Sequence, residues 1–387
     1  VKDILRLNDK IRSIRSLVII GIALVGFFAL VFLSLNSEET PVRELDEVIN
    51  NNEPVLYDKH ARHAGEYSDR GNSYNIERIV ADCGKDAHCA MEALSDMSVR
   101  EHKETVLATF EGIISYYEEN SLYCHAQAHH LSMFLYSYIG NISEALYHAD
   151  ETWCGGAVHH GLMETFFTLE KVIHKANPDD IDIKSICPTH PENQYALERR
   201  ECLHGMGHGL MILYNHDVFK SVERCQEFEL GWEQHHCANG IFMENLVYHG
   251  KTKQGTFDNE DLFYPCNAID PNMASACYNY HASYIASRSG NTANAFKQCD
   301  KIVPEEFIKY CYRGMGRKVS LSVFDKIDRA LNVCQSGKPE YHAYCFAGIA
   351  GVVVKHKSTD QAFEFCKSIP HQFKNECYVK VGNYIIM

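Results

Sequence analysis

The sequence has no CxxC pair and no CxxCH, so zinc ribbons and c-type haem lack their signatures. It also has no HExxH, GxSxG, Walker A or EF-hand loop. That removes the commonest signs of a zincin, a serine hydrolase, a P-loop nucleotidase and a calcium sensor. Basic residues are few: 37 Lys and Arg stand against 51 Asp and Glu, a formal charge of -14 over 387 residues. The first 16 residues carry a net +3, which leaves -17 for the rest. So acidic a body excludes nucleic acid as a partner, because nucleic acid needs a basic footprint. Asn141-Ile142-Ser143 is the one N-x-S/T sequon, and it fits a surface turn.

What is present is a repeat. Cys202-Leu203-His204-Gly205-Met206-Gly207-His208-Gly209 has seven relatives, opening at Cys124, Cys154, Cys237, Cys277, Cys311, Cys345 and Cys377. The last four steps are 40, 34, 34 and 32 residues. Periods of this size mark stacked supersecondary units.

There are 16 cysteines, and their spacing pairs them. Cys187 goes with Cys202, Cys225 with Cys237, Cys266 with Cys277, Cys299 with Cys311, Cys334 with Cys345 and Cys366 with Cys377. Cys83 with Cys89 forms a short loop, and the two left over, Cys124 and Cys154, can pair with each other. Between them the chain reads as helical hairpins. Thr292 to Cys299, Ile327 to Cys334 and Thr359 to Cys366 are first helices, followed by turns at Pro304, Pro339 and Pro370. Second helices then run to Phe324, from Tyr341 to His356 and from Phe373 to Ile386. Helical pattern begins near Tyr74 and continues over Val99 to Asn120. Glycine three residues after the cysteine, at Gly205, Gly240, Gly314 and Gly348, faces the partner helix and permits close approach. In period and hairpin form, residues Cys187 to Met387 resemble the tetratricopeptide and Sel1-like class of helical repeats. The expected fold is an all-α, disulfide-stapled solenoid over 76–387.

Residues 17–35, LVIIGIALVGFFALVFLSL, are 19 long and uncharged. At ~1.5 Å per residue they reach across a hydrocarbon core of roughly 30 Å. Basic residues 1–16 precede them, so the positive-inside rule puts that segment in the cytoplasm and the remainder outside. Residues 36–75 are polar and read as a linker. The chain is thus expected to be a single-pass membrane protein with an extracytoplasmic repeat domain, a compartment that permits disulfides.

Ten of the 22 histidines lie between Cys124 and His208. At ~100° per residue, His125 shares a helical face with His129, His160 with Glu164, and His204 with His208. Each is an i, i+4 pair, the spacing with which one helix grips one ion. His130, His160 and His208 stand at the same repeat position, six after the cysteine. Neighbouring second helices, roughly 8–10 Å apart, bring such pairs together. The candidate metal ligands are therefore His125, His129, His130, His160, Glu164, His204 and His208. A His/Glu set suits Zn, Fe, Mn, Cu or Ni rather than Ca or Mg. A polar interhelical network and a pH-sensitive binding surface are the competing readings. Glu244 and His249 read as solvated, and His148, His174 and His190 as surface.

Two function classes stay open. One is a metal-dependent enzyme, hydrolytic or oxidative. The other is a repeat scaffold that holds a membrane or extracytoplasmic protein, or a peptide, on its concave face, with structural histidines.

Overall fold

Short amphipathic stretches that end on cysteine alternate with longer apolar ones, and the structure turns this alternation into two layers. The computed structural model describes residues 76–385, apart from Leu122 and residues 190–196. All regular structure among the described residues is helical. In chain order the helices are α1 (Ile76–Cys83), α2 (Ala87–Ser98), α3 (Lys103–Asn120), α4 (Cys124–Ile139), α5 (Ile142–Tyr147) and α6 (Ala157–Leu169). They continue with α7 (Leu197–Leu213), α8 (Val218–Cys225), α9 (Gly231–Thr252), α10 (Pro271–Arg288) and α11 (Thr292–Cys299). The last five are α12 (Ile308–Val323), α13 (Ile327–Cys334), α14 (His342–His356), α15 (Thr359–Ser368) and α16 (Lys374–Ile385).

Helices α2, α4, α6, α7, α9, α10, α12, α14 and α16 pack side by side in sequence order and form the inner layer. The short helices α5, α8, α11, α13 and α15 each lie outside, across two consecutive inner helices. Their starts are capped locally: Asp217 accepts from the Phe219 and Lys220 amides, Asn291 from Asn294 and Ser358 from Gln361. Each of the last three inner helices is entered through a single 3-10 turn beside a proline, at Pro304, Pro339 or Pro370. Between α6 and α7, and between α9 and α10, the connection carries no outer α-helix among the described residues. There the expected hairpin is replaced by irregular chain stapled at Cys187 and Cys266.

The seven cysteine pairs read from spacing are bonded, and so are the leftover Cys124 and Cys154, with Cα–Cα distances of 5.4 to 5.7 Å. Most staple an inner helix to the segment before it. Cys124 differs: it bonds forward to Cys154, in the turn that precedes α6. The layers enclose a core whose largest fully buried side chains include Phe110, Tyr117, Phe167, Tyr278, Phe296, Tyr312 and Phe346. Fully burying an aromatic ring of this kind contributes roughly 1.5–3 kcal/mol.

Glycine sets the spacing of the inner helices. A Cβ on Gly205 would lie 2.8 Å from the His159 carbonyl oxygen and 3.1 Å from the His160 Cα, so α6 and α7 approach backbone to backbone. Gly240 and Gly348 meet the carbonyls of His204 and Arg313 in the same way.

The inner layer curls until its last helices meet α7 and the turn before α6. Lys355 and His356, at the end of α14, lie against Gly155. Arg200 of α7 donates to the Asn383 carbonyl of α16 at 3.3 Å and lies 4.3 Å over the Tyr384 ring. No helix among the described residues is long and apolar enough to cross a membrane, and the expected span at 17–35 lies outside them, as do the linker and His190.

Candidate metal centre

Helices α4, α6, α7 and α9 are consecutive in the inner layer, and each turns titratable side chains toward one pocket. His125 and His129 come from α4, His160 and Glu164 from α6, His204 and His208 from α7, and Glu244 from α9. The glycine contacts hold α6 and α7 close enough for imidazoles of both to meet. The His160 ring centroid is 4.6 Å from that of His204 and 5.3 Å from that of His208. His125 and His129 are 4.9 Å apart and lie 5.2 and 5.6 Å from His160.

Three overlapping sets have ligand atoms all within 4.8 Å of one another: His125, His129 and His160; His160, His204 and His208; and Glu164, His208 and Glu244. Glu118, Cys124 and Cys154 form a fourth grouping, but the two cysteines are bonded and offer no thiolate.

The hydrogen bonds give each ring a direction. His125 Nδ1 donates to the Cys154 carbonyl at 2.9 Å, and His129 Nδ1 to Glu164 at 3.2 Å. The two Nε2 atoms lie 3.3 Å apart, within hydrogen-bond distance of one another. That separation is about the edge of a tetrahedron with bonds of ~2.0–2.1 Å to nitrogen. His160 Nε2 bonds Glu201 at 3.3 Å, while its Nδ1 is buried without a partner. His208 Nδ1 lies 3.0 Å from Glu244 and 3.3 Å from Glu164, and its Nε2 is likewise buried and unpartnered, as is His204 Nε2. A metal-bound histidine characteristically gives its second nitrogen to a carboxylate or carbonyl. The rings of His125, His129, His160 and His208 are all held in that way.

Electrostatics follows from these partners. Burial, with its imidazole neighbours, holds His160 and His204 well below the usual histidine range, so both are neutral. His125 is held low by burial, His129 and Lys355. His208 goes the other way: burial opposes its charge, but Glu164 and Glu244 push it up to about 9. Glu164 resists burial through His129 and His208 and stays well below the usual carboxylate range. Glu201 does so through Lys355, His160 and Arg200.

Six of the seven sequence candidates therefore converge. His130 does not: it is exposed and belongs to none of the three sets. The shared repeat position misplaces it because Cys124 bonds forward to Cys154, whereas Cys202 bonds back to Cys187. Helix α4 is accordingly turned so that His125 and His129 face the pocket. Glu244, expected to be solvated, is 15% exposed and bonded to His208. His249 stacks on Phe257 with ring centroids 4.6 Å apart and lies in none of the sets. His174 is exposed on Glu170.

Sequence reasoning missed Glu201, Lys355 and His356. Lys355 Nζ lies 2.8 Å from Glu201, and the His356 ring is 5.9 Å from that of His125. Glu201 had a signal, since it precedes Cys202 by one residue and shares a wheel face with His208. Lys355 and His356 had none, since only the curl of the array brings them here. The three histidine and glutamate sets are positioned to hold a metal ion. No protein-family model, curated protein or solved structure matches this chain.

Proposed function

We propose that the pocket binds a divalent transition-metal ion, Zn, Fe, Mn, Cu or Ni, and that the chain is a metal-dependent enzyme. One observation carries the reading: His160 and His208 each commit one nitrogen to a carboxylate and leave the other buried and unpartnered, as is His204 Nε2 between them. Leaving such atoms without a partner costs about 1–3 kcal/mol each, and an ion offsets that cost at several of them together. Imidazole donors suit Zn, Cu, Fe and Ni.

Three protein ligands leave a coordination position for water, the arrangement of catalytic rather than structural sites. His129 and Glu164 keep 19% and 27% of their side-chain surface exposed, which leaves the pocket open at that end. When bound, the ion supplies an activated water or a site for dioxygen. Glu164, between His129 and His208, is the carboxylate placed to orient both rings toward the ion. No observation in the structure favours the scaffold reading over the metal one.

Metal analysis of the purified full chain tests the reading. Wild type should retain about one ion per chain, and the double change His204→Ala with His208→Ala should abolish retention while far-UV circular dichroism is unchanged. Equal metal content in the two proteins would overturn it.

The same reading places the repeat domain outside the cytoplasm, behind an anchor at 17–35. Eight disulfides support it, since such bonds persist in oxidising compartments. Intact mass of the membrane-extracted protein should include residues 17–35; a mature N-terminus near Asn36 contradicts the anchor.

A further inference from the structure

The curl of the inner layer gathers cations where an acidic protein has least reason to keep them. Arg200, Arg317, Lys355 and Lys380 come from α7, α12, α14 and α16 and meet around two phenols. Arg200 lies 4.3 Å and Lys380 Nζ 5.1 Å from the centroid of the Tyr384 ring. Arg317 lies 4.0 Å over Tyr280, whose ring is 6.3 Å from that of His204. Glu201 stands among them, bonded to Lys355 at 2.8 Å, to Arg200 at 3.2 Å and, on the metal side, to His160 at 3.3 Å.

Glu201 does not answer all of this charge. Arg317 Nε and Nη2 are buried with no hydrogen-bond partner. Lys380 has the Tyr384 ring and, among the described residues, no carboxylate within ion-pair distance. Cation–π contacts engage the ring faces and leave the N–H donors without a hydrogen-bond acceptor. The imbalance also registers on Tyr384. Burial would raise its phenol, yet Lys380, Arg200 and Lys355 bring it down. Like charges packed this way repel unless an anion sits between them.

We infer that this inner surface is a subsite for an oxyanionic group, a phosphate or carboxylate on a small substrate, gripped by Arg317 and Lys380 beside the histidine pocket. A guanidinium supplies a planar fork of donors and an ammonium a point charge, the usual pair for such a group. Tyr280 separates Arg317 from His204, so a small molecule held by its anionic end extends past that ring toward the imidazoles. The substrate assignment rests on the metal reading; the binding of the anion does not.

Calorimetry on the full chain, stripped of metal by chelator and held at constant ionic strength, tests it with inorganic phosphate and with malonate. At least one should bind saturably at one per chain. Arg317→Gln with Lys380→Gln should weaken that binding by about tenfold or more and leave metal retention unchanged. If that pair does not fold, Lys380→Gln alone carries the test, with an expected loss of about threefold or more. Failure of both anions to bind wild type, or equal binding by wild type and the folded variant, overturns the inference. Oxyanion uptake by a chain that retains no metal would instead leave this site standing and remove the metal reading.

Discussion

Lys355 closes the curl on Glu201: its Nζ lies 2.8 Å from a carboxylate oxygen 154 positions earlier in the chain. Glu201 is nearly inaccessible, with 4% of its side chain exposed, and Lys355 keeps 19%. Without Lys355, Glu201 keeps Arg200 and His160 as partners, so the loss is that of a hydrogen bond between charged groups, about 1.5–3 kcal/mol. Lys355→Met should lower the unfolding free energy by about 2 kcal/mol, read by chemical denaturation. A Lys355→Met protein as stable as wild type would mean that this closure contributes little.

The proton on His208 sets a pH dependence of metal uptake. Its folded pKa is raised from 6.5 to about 9. In the metal-free chain its stabilising charge is therefore fully present below pH 6.5 and lost as pH rises through about 9. An ion at Nε2 must displace that proton, whereas His160 and His204 are already neutral. Metal binding at pH 7 should then release about one proton, not three, and apparent affinity should rise roughly tenfold per pH unit up to about 9. Calorimetry in buffers of different ionisation enthalpy counts the proton. Release of none would remove His208 from the ligand set.

On the metal reading, Glu244 acts through His208, to which it is bonded at 3.0 Å. Glu244→Gln should reduce metal affinity about 10–100-fold, the usual cost of losing a carboxylate behind a ligand histidine. His130→Ala should leave affinity unchanged, because that ring faces away from the pocket. A competition titration with a chromophoric chelator measures both, and equal losses would contradict the geometry.

What could be read in advance was whatever depends on neighbours in the chain. The cysteine ladder located α11, α13 and α15 and seven of the disulfides, because each of those staples joins an inner helix to the segment just before it; Cys124 and Cys154 were only the pair left over. Pairs spaced by four, His125 with His129, His160 with Glu164 and His204 with His208, were legible for the same reason. His130 misled because position within a repeat says nothing about how far a helix is rotated when its disulfide runs the other way. Lys355, His356 and Tyr384 reach the site through accumulated superhelical curvature, a property of the whole array that no local pattern carries.

Gly240 tests whether close helix packing is what builds the site. A Cβ there would meet the carbonyl oxygen of His204 and come within 3.1 Å of the Gly207 Cα. Backbone cannot step aside as a flexible side chain can, so Gly240→Ala must push α9 away from α7. Overpacking of this kind costs about 1–3 kcal/mol, against a gain of at most ~1 kcal/mol from better helix propensity. Gly250 lies near the end of the same helix, and a Cβ added to it would have nothing within 4 Å. Gly250→Ala therefore carries the propensity gain alone and should raise the melting temperature slightly. Gly240→Ala should lower it. Because the displaced carbonyl belongs to His204, and Glu244 rides on the displaced helix, Gly240→Ala should also weaken metal binding by about tenfold or more, with Gly250→Ala unchanged. Loss of stability without loss of metal would mean that the pocket tolerates a wider α7–α9 spacing and that its ligands do not depend on α9.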